Sequence, residues 1–150
     1  MPSEPVILLA EDREDDILVI RRAFAKSTFP YLLRVVRNGE EVLSYLRGEP
    51  PYDDRAMFPL PALLLLDLNM PRKDGFEVLE WIRQQPDLFS LRVVVLTSSE
   101  LSSDTTRAYE AGANSFLVKP TDFQNYVELT EFINGFWLQF NSTLQVTTST

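Results

Sequence analysis

The chain has 150 residues and a formal charge of −8, and 45% of its residues are hydrophobic. This length fits one domain with an ordinary core, and the negative field argues against binding of nucleic acid. The chain has no cysteine and no histidine, which excludes disulfides, thiolate zinc sites, Ser-His-Asp catalysis and a phosphohistidine intermediate on this chain.

Five short apolar segments predict strands, at residues 6–10, 32–36, 62–68, 91–97 and 115–118. Most are apolar at successive positions, which is typical of strands buried on both faces of a parallel sheet. Segments with helical spacing follow them, at residues 15–26, 40–46, 75–84, 103–111 and 123–140. This alternation predicts an α/β fold, a three-layer, doubly wound, five-stranded parallel sheet with right-handed crossovers.

Two segments fall outside the alternation. Residues 48–61 are rich in proline and predict a long loop, which is either a contact surface or a tolerated insertion. Residues 141–150 predict a flexible tail, so we expect one domain over residues 1–140 and no output domain. The first residues lack the pattern of a signal peptide and the apolar runs are too short to cross a bilayer, so we expect a cytoplasmic protein without membrane contact.

Polar side chains stand where four of the predicted strands end. In chain order they are Glu11 and Asp12, Asp67, Thr97 and Ser98, and Lys119. Ligands of an open parallel sheet bind outside the carboxyl ends of its strands. We therefore expect three carboxylates, two hydroxyls and an ammonium to meet at one edge of the sheet.

The carboxylates of Glu11, Asp12 and Asp67 would repel one another at this edge and raise each other's pKa. A Mg²⁺ ion would relieve the repulsion, because it prefers oxygen ligands. Plainer interpretations stay open for each residue alone. An acid can be a helix cap or a solvated charge, Thr97 an ordinary strand residue, and Lys119 an exposed lysine.

The same residues fit phosphoryl transfer to Asp67. A carboxylate can attack phosphorus and form an aspartyl phosphate, and catalysis is then mainly positioning and neutralisation of charge. Mg²⁺ and Lys119 would supply positive charge, and Thr97 would donate a hydrogen bond. Pro120 follows Lys119, and a cis peptide bond there would aim the lysine.

These motifs resemble the receiver domain of two-component response regulators, over about residues 5–140. The matching stretches are residues 7–12, 65–71, 74–75, 95–98 and 111–120. The resemblance implies a flavodoxin-like fold with strand order 2-1-3-4-5 and makes Asp67 the phosphoacceptor. The implied ligands of Mg²⁺, or of Mn²⁺ or Ca²⁺ in its place, are Glu11, Asp12, Asp67 and the backbone carbonyl of Asn69. The residues implied to contact the phosphoryl group or report its arrival are Thr97, Ser98, Lys119 and Phe116.

The implied partner is a sensor histidine kinase, because this chain has no histidine to carry the phosphoryl group. The 48–61 loop, the aromatic last helix and the lack of an output domain look like the small regulators of cyanobacterial and other bacterial phytochromes. We therefore expect a phytochrome as the kinase and a changed protein surface as the output. At Phe116, a plain core aromatic is the alternative to a switch residue.

The predicted last helix carries more apolar residues than one face packed on a sheet requires. This surplus predicts a homodimer through the fourth and fifth helices and the last strand. The candidate interface residues are Tyr126, Phe132, Phe136, Trp137 and Phe140. Alternatively, the tail folds back and covers them.

Three competing functions follow from the same residues. A phosphatase with an aspartyl-phosphate intermediate usually has a second Asp two positions after the nucleophile, where this chain has Asn69, so we expect a signalling protein and not a turnover enzyme. A scaffold without phosphorylation conflicts with the intact set Asp12, Asp67, Thr97 and Lys119. A nucleotide or flavin module would need a glycine-rich phosphate loop, which the five glycines do not form.

Overall fold

The computed structural model describes residues 5–26 and 31–136. Its strands are β1 (Val6–Ala10), β2 (Leu32–Val36), β3 (Leu63–Leu66), β4 (Val93–Thr97) and β5 (Ser115–Val118). Its α-helices are α1 (Glu14–Ala25), α2 (Gly39–Arg47), α3 (Gly75–Gln84), α4 (Ser102–Ala111) and α5 (Phe123–Ile133), with a 3₁₀ helix at Pro86–Leu88. Within these described ranges, no helix is long and apolar enough to span a membrane.

The five strands form one parallel sheet in the order β2-β1-β3-β4-β5, so the predicted fold is confirmed. Strand side chains alternate between the two faces of a sheet. Leu64 and Leu66 of β3 therefore pack under α2, α3 and α4, while Leu63 and Leu65 pack under α1 and α5. This double burial is why the central strands are apolar at successive positions and not at every second one.

Two predicted strands were too long. The segment predicted at 91–97 begins as β4 only at Val93, because the Leu91 N–H donates to the Leu88 carbonyl and closes the 3₁₀ turn. The segment predicted at 62–68 ends as β3 at Leu66, because the Leu68 carbonyl turns to accept the Gly75 N–H at the start of α3.

The predicted helix boundaries differ less. Three helices, α1, α2 and α4, begin one residue earlier than predicted, and α3 has the predicted bounds. The helix predicted at 123–140 is α-helical to Ile133 and continues as a wider π turn to residue 136. The last four residues of that prediction lie outside the described residues.

The 48–61 loop is tied to the end of α2. The Arg55 guanidinium donates to the carbonyls of Tyr45 (2.8 Å), Leu46 (2.7 Å) and Phe58 (3.0 Å). The Tyr45 hydroxyl in turn donates to the Pro59 carbonyl. Two of these bonds satisfy carbonyls that the last turn of a helix leaves without intrahelical partners. The loop is thus anchored on the fold, while its role as a contact surface stays a prediction.

Gly75 brings the start of α3 directly against the segment that carries Asp67. A Cβ atom at Gly75 would lie 2.7 Å from the Asp67 carbonyl oxygen and 2.7 Å from the Leu68 Cα. Asp74 caps the helix by accepting the Glu77 N–H at 3.0 Å, and Glu77 returns a bond to the Asp74 N–H, which is a capping box. The position of Asp67 therefore depends on the absence of a side chain at residue 75.

The first prediction concerns Gly75→Ala. We expect a loss of about 1–3 kcal/mol in the free energy of unfolding, because the two nearest atoms that a methyl group would meet are backbone atoms, which cannot move away as a side chain can. Urea unfolding followed by circular dichroism measures this loss. Gln84→Ala, at the exposed end of the same helix, is the matched control and should change the stability by less than about 0.5 kcal/mol. Equal stabilities of the two variants would contradict the close approach.

Candidate functional site

The residues predicted from the strand ends do meet at the carboxyl edge of the sheet. Glu11 and Asp12 follow β1, Asp67 follows β3, Thr97 is the last residue of β4, and Lys119 follows β5. These four strands are neighbours in the sheet, so their ends lie side by side.

The carboxylates of Glu11, Asp12 and Asp67 form a compact group. One oxygen of each lies within 4.8 Å of the others. Glu11 and Asp67 are buried, whereas Asp12 is exposed to solvent. Two buried oxygen ligands and one exposed ligand suit a hard divalent cation that keeps part of its water shell. The donor set therefore fits the predicted Mg²⁺ site.

The Lys119 ammonium lies inside this acidic group. Its Nζ is 2.6 Å from Glu11 Oε1, 2.8 Å from Asp16 Oδ2 and 3.1 Å from Asp67 Oδ2. The lysine side chain is only 6% exposed. Burial alone would lower the pKa of Lys119, but the hydrogen bonds to Asp16 and Glu11 and the charge of Asp67 outweigh it and raise the pKa. The lysine is thus a buried cation at physiological pH.

Asp16 is a site residue that the sequence reasoning missed. It lies in the first turn of α1, where Glu14, Asp15 and Asp16 are all acidic, and such a group is expected from the helix dipole alone. The spacing of residues along the helix could have revealed Asp16. Asp16 stands one turn before the buried Ile20, and residues four apart share a helix face, so Asp16 points toward the sheet while Asp15 stays exposed.

The Asp67 carboxylate is held on both oxygens. Its Oδ1 accepts the Asn69 N–H at 3.2 Å, and its Oδ2 accepts Lys119. The Asn69 side chain is exposed, and the role of its backbone carbonyl as a metal ligand stays a prediction. Thr97 is fully buried and Ser98 is exposed. Both lie at the end of β4, as predicted. Their contacts with a phosphoryl group stay predictions.

A cavity of about 510 Å³ opens beside Lys119. Its lining includes Asp16, Ser98, Lys119 and Tyr126, so it joins α1, the end of β4 and the start of α5. The cavity therefore borders Lys119, whose side chain is only 6% exposed.

The cis peptide bond considered as a candidate before Pro120 is not found. Among the described residues the cis bond is Pro50–Pro51, and the bond from Lys119 to Pro120 is trans. Trans is the favoured isomer of most X–Pro bonds, and Lys119 reaches its carboxylates without the cis form.

Phe116 is half-buried and packs against the core beneath α2, α3 and α4. Its N–H, on the edge strand β5, donates to the Tyr109 hydroxyl of α4 at 3.1 Å. The structure thus provides a contact between β5 and α4 at the predicted switch position. Whether Phe116 switches stays a prediction.

The candidate interface residues divide into three groups. Tyr126 was wrongly assigned to an interface, because it is only 5% exposed and packs in the core beneath α1 and α5. Phe132 and Phe136 are 51% and 49% exposed, and their rings stack with centroids 5.7 Å apart. Trp137 and Phe140 lie outside the described residues.

Glu11 is the acid whose ionisation the site changes most clearly. Burial raises the pKa of Glu11 from its ordinary 4.5 to about 7; the hydrogen bond from Lys119 opposes this rise, and the charge of Asp67 adds to it. An unfolded chain would release the same proton near pH 4.5. Between these values the folded chain binds more protons, so the resulting stability is fully present below pH 4.5 and is lost as the pH rises through about 7.

The second prediction follows from this sign. In metal-free buffer, one glutamate carboxyl should titrate near pH 7 in ¹³C NMR spectra, and Glu11→Gln should remove that titration. The wild-type protein should also lose stability relative to Glu11→Gln as the pH rises from about 5 to about 8. Glu80→Gln, on the exposed side of α3, is the control and should show no such trend. A glutamate titration confined to acidic pH would contradict the assignment.

Comparison with known proteins identifies the family. A model of the response regulator receiver domain matches residues 7–131. Response regulator Rcp1 of Synechocystis is 37% identical over 134 residues, which cover 89% of each chain. A probable methanogenesis regulatory protein of Methanothrix harundinacea, FilR2, is 38% identical over 136 residues, which cover 91% of this chain and 85% of that protein.

Solved structures agree. The phosphorylated cyanobacterial phytochrome response regulator RcpA has a TM-score of 0.84 at 37% identity, over 91% of this chain and 96% of that one. The Mn²⁺-bound form of Rcp1 has a TM-score of 0.81 at 37% identity over the same shares. RPA3017, from red light signalling in R. palustris, has a TM-score of 0.85 at 40% identity, over 90% and 94%. The acidic cluster, the buried lysine, the sheet order and these matches lead to one conclusion: this chain belongs to the response regulator receiver family.

Proposed function

We propose that this chain is a single-domain response regulator that accepts a phosphoryl group on Asp67 from a sensor histidine kinase, in a reaction that needs Mg²⁺. One observation carries the proposal. At the carboxyl edge of the sheet, the Asn69 N–H and the Lys119 ammonium hold the Asp67 carboxylate. Two further carboxylates lie next to it, and the three together fit a divalent cation. A buried nucleophile beside a buried ammonium and a cation site is what acceptance of a phosphoryl group requires.

The chemical step uses residues of this chain in three roles. An oxygen of Asp67 attacks phosphorus, the new O–P bond forms, the N–P bond of the donor breaks, and its electron pair stays on the donor's ring nitrogen. Lys119 already contacts Asp67 Oδ2 and can transfer a hydrogen bond to a phosphoryl oxygen. Thr97 offers its hydroxyl from the next strand.

The charge of the product explains why a divalent cation is needed. Phosphorylation turns the singly charged Asp67 carboxylate into an acyl phosphate that carries about two negative charges. The site already holds the carboxylates of Glu11, Asp12 and Asp16 and only one lysine. When bound, Mg²⁺ neutralises charge on the phosphoryl oxygens. Glu11, Asp12 and Asp67 would hold it, with the Asn69 carbonyl as a further ligand. The Mn²⁺-bound form of the similar Rcp1 supports this choice.

Turnover as a phosphatase is less well supported. The chain has Asn69, which is not an acid, two residues after Asp67, and it has no histidine. No side chain in the described site is thus placed as a general acid and base for repeated hydrolysis. We infer a signalling protein that catalyses only its own phosphorylation and dephosphorylation.

We propose a phytochrome as the kinase and the cytoplasm as the location. The support is the set of similar regulators, which includes a phytochrome response regulator and a red light signalling protein. Phosphorylation of such a regulator would then report light through a protein contact.

We also propose a homodimer through α4, β5 and α5. These elements and the residue before α4 carry exposed apolar side chains: Leu101, Tyr109, Val118, Phe132 and Phe136. Exposed apolar side chains that lie together mark interfaces. The stacked pair Phe132 and Phe136 presents a flat apolar area that a second copy can cover.

The third prediction tests phosphorylation. Incubation with Mg²⁺ and a small acyl phosphate or phosphoramidate should add one phosphate-sized mass to the intact protein, because the Asp67 nucleophile and the Lys119 ammonium are already in place. Asp67→Asn should remove the gain. Asp87→Asn, on the exposed 3₁₀ helix, is the charge-matched control and should keep it. No gain in the wild-type protein from any donor or kinase, or a gain that survives Asp67→Asn, would overturn the proposal.

The fourth prediction tests the dimer. Light scattering should show a dimer of the wild-type chain in at least one phosphorylation state, and Phe132→Ser with Phe136→Ser should shift it to a monomer by removing the stacked rings. Leu18→Ser, an equally exposed apolar position on α1, should leave the dimer intact. A monomeric wild-type chain in both states would rule the interface out.

A further inference from the structure

Asp16 offers the Lys119 ammonium a partner that lies outside the cation site. We propose that Asp16 is a positioning residue: it holds Lys119 in the site while a divalent cation draws on the carboxylates of Glu11 and Asp67. This inference rests on the proposed function, because it presumes that the site binds Mg²⁺. It assigns a role to an α1 residue that belongs neither to the acid cluster nor to the set at the strand ends.

The geometry divides the partners of Lys119 into two kinds. An ammonium has three N–H donors, and the structure gives Nζ three carboxylate contacts, to Glu11, Asp16 and Asp67. Glu11 and Asp67 also belong to the compact oxygen group that fits a cation, together with Asp12. Asp16 is not a member of that group. It is therefore the partner of Lys119 that a cation leaves in place.

Cation binding at Glu11 and Asp67 necessarily disturbs Lys119. A divalent cation placed between these carboxylates repels an ammonium that touches both of them, and the repulsion is strong where water is scarce. Lys119 is only 6% exposed, so water cannot fully replace a lost partner. A second strong acceptor within reach lowers the cost of sharing the carboxylates with the metal, because a buried charge then keeps a hydrogen bond.

Several contacts hold the Asp16 side chain in position. Its side chain is 22% exposed and its Oδ2 also lies 3.4 Å from Arg13 Nε, so a second cation helps to orient it. Ile17 and Ile20 of the same helix are buried in the core between α1 and the sheet. Their packing fixes the first turn of α1 against the sheet. The Arg13 backbone N–H donates to Glu11 Oε2, so the start of α1 is tied to the acid cluster as well.

The alternative for Asp16 is a general one: any acid in the first turn of a helix stabilises it and makes the site more negative. Asp15 provides a control for both effects. It has the same charge in the same turn, but it is exposed and makes no contact with Lys119 in the described structure. A difference between Asp16 and Asp15 isolates the contact with the lysine.

The fifth prediction is a titration of the full chain with Mg²⁺ by calorimetry, at an ionic strength that screens the general field. Asp16→Asn should weaken Mg²⁺ binding about tenfold, as loss of an outer-shell partner does at metal sites. Asp15→Asn should change the affinity by less than about twofold. Asp16→Glu keeps the carboxylate and should restore most of the affinity, which a mere defect in α1 folding would not predict.

The ammonium itself supplies the second readout. The chain has three lysines, Lys26, Lys73 and Lys119, so side-chain ammonium signals in ¹⁵N NMR spectra are few, and Lys119→Arg identifies the signal of Lys119. In Mg²⁺-saturated wild-type protein this signal should persist with slow exchange, and in Mg²⁺-saturated Asp16→Asn it should broaden or vanish. In metal-free protein both chains should show it.

The outcomes separate this inference from the proposed function. Mg²⁺ binding by the wild-type chain with equal affinities for Asp16→Asn and Asp15→Asn would overturn the role of Asp16 and leave the phosphoacceptor intact. Loss of the Lys119 signal in Mg²⁺-saturated wild-type protein would also overturn it. A wild-type chain that binds no Mg²⁺ would overturn both.

Discussion

The site depends on one buried ammonium that balances a group of carboxylates. Lys119 contacts Glu11, Asp16 and Asp67 at 2.6 to 3.1 Å. Without a cation, acids this close would be driven to bind protons. Burial is the main cause of the raised pKa of Glu11; the hydrogen bond from Lys119 opposes the rise, and the charge of Asp67 adds to it. The four carboxylates of the site outnumber its one ammonium, and this excess of acid favours the proposed divalent cation. Under the proposed function, the same lysine would also contact an incoming phosphoryl group.

The fold explains how these few residues come together in one site. Parallel strands bring their carboxyl ends to one edge, and β1, β3, β4 and β5 are neighbours there. Gly75 lets α3 pack on the carbonyl of Asp67, while the first turn of α1 supplies Asp16. Lys119 links Asp67 to the end of β5, and the bond from the Phe116 N–H to the Tyr109 hydroxyl links β5 to α4. Both elements belong to the surface proposed for the dimer.

The sequence predicted most of the fold because both cores depend on simple patterns. The strands β1, β2 and β5 and the helix α3 have the predicted bounds, since apolar runs and glycines mark them plainly. The end of β3 and the start of β4 were misplaced because apolar residues extend beyond both strands. They continue to Leu68 after β3 and begin at Leu91 before β4. Only the hydrogen bonds of the adjoining turns show where each strand stops.

The site was less completely predicted. Residues that end strands were found because strand ends are easy to place, but Asp16 acts from a helix, and its three-acid turn resembles ordinary helix capping. Tyr126 was misplaced because aromatic content alone does not tell which side of α5 faces α1. The isomer of the peptide bond before Pro120 could not be decided from the sequence, because a Lys-Pro sequence allows both the cis and the trans form.

The most direct test of the charge balance is the free energy of unfolding of Lys119→Met, with and without Mg²⁺. Removal of one partner from a buried charged group costs about 3–5 kcal/mol, so the variant should be less stable than the wild-type protein by about that amount in metal-free buffer. Mg²⁺ should then stabilise the variant more than it stabilises the wild-type protein, because the ion supplies the positive charge that the lysine no longer does. A variant as stable as the wild-type protein without metal, or one that Mg²⁺ does not stabilise, would contradict the account.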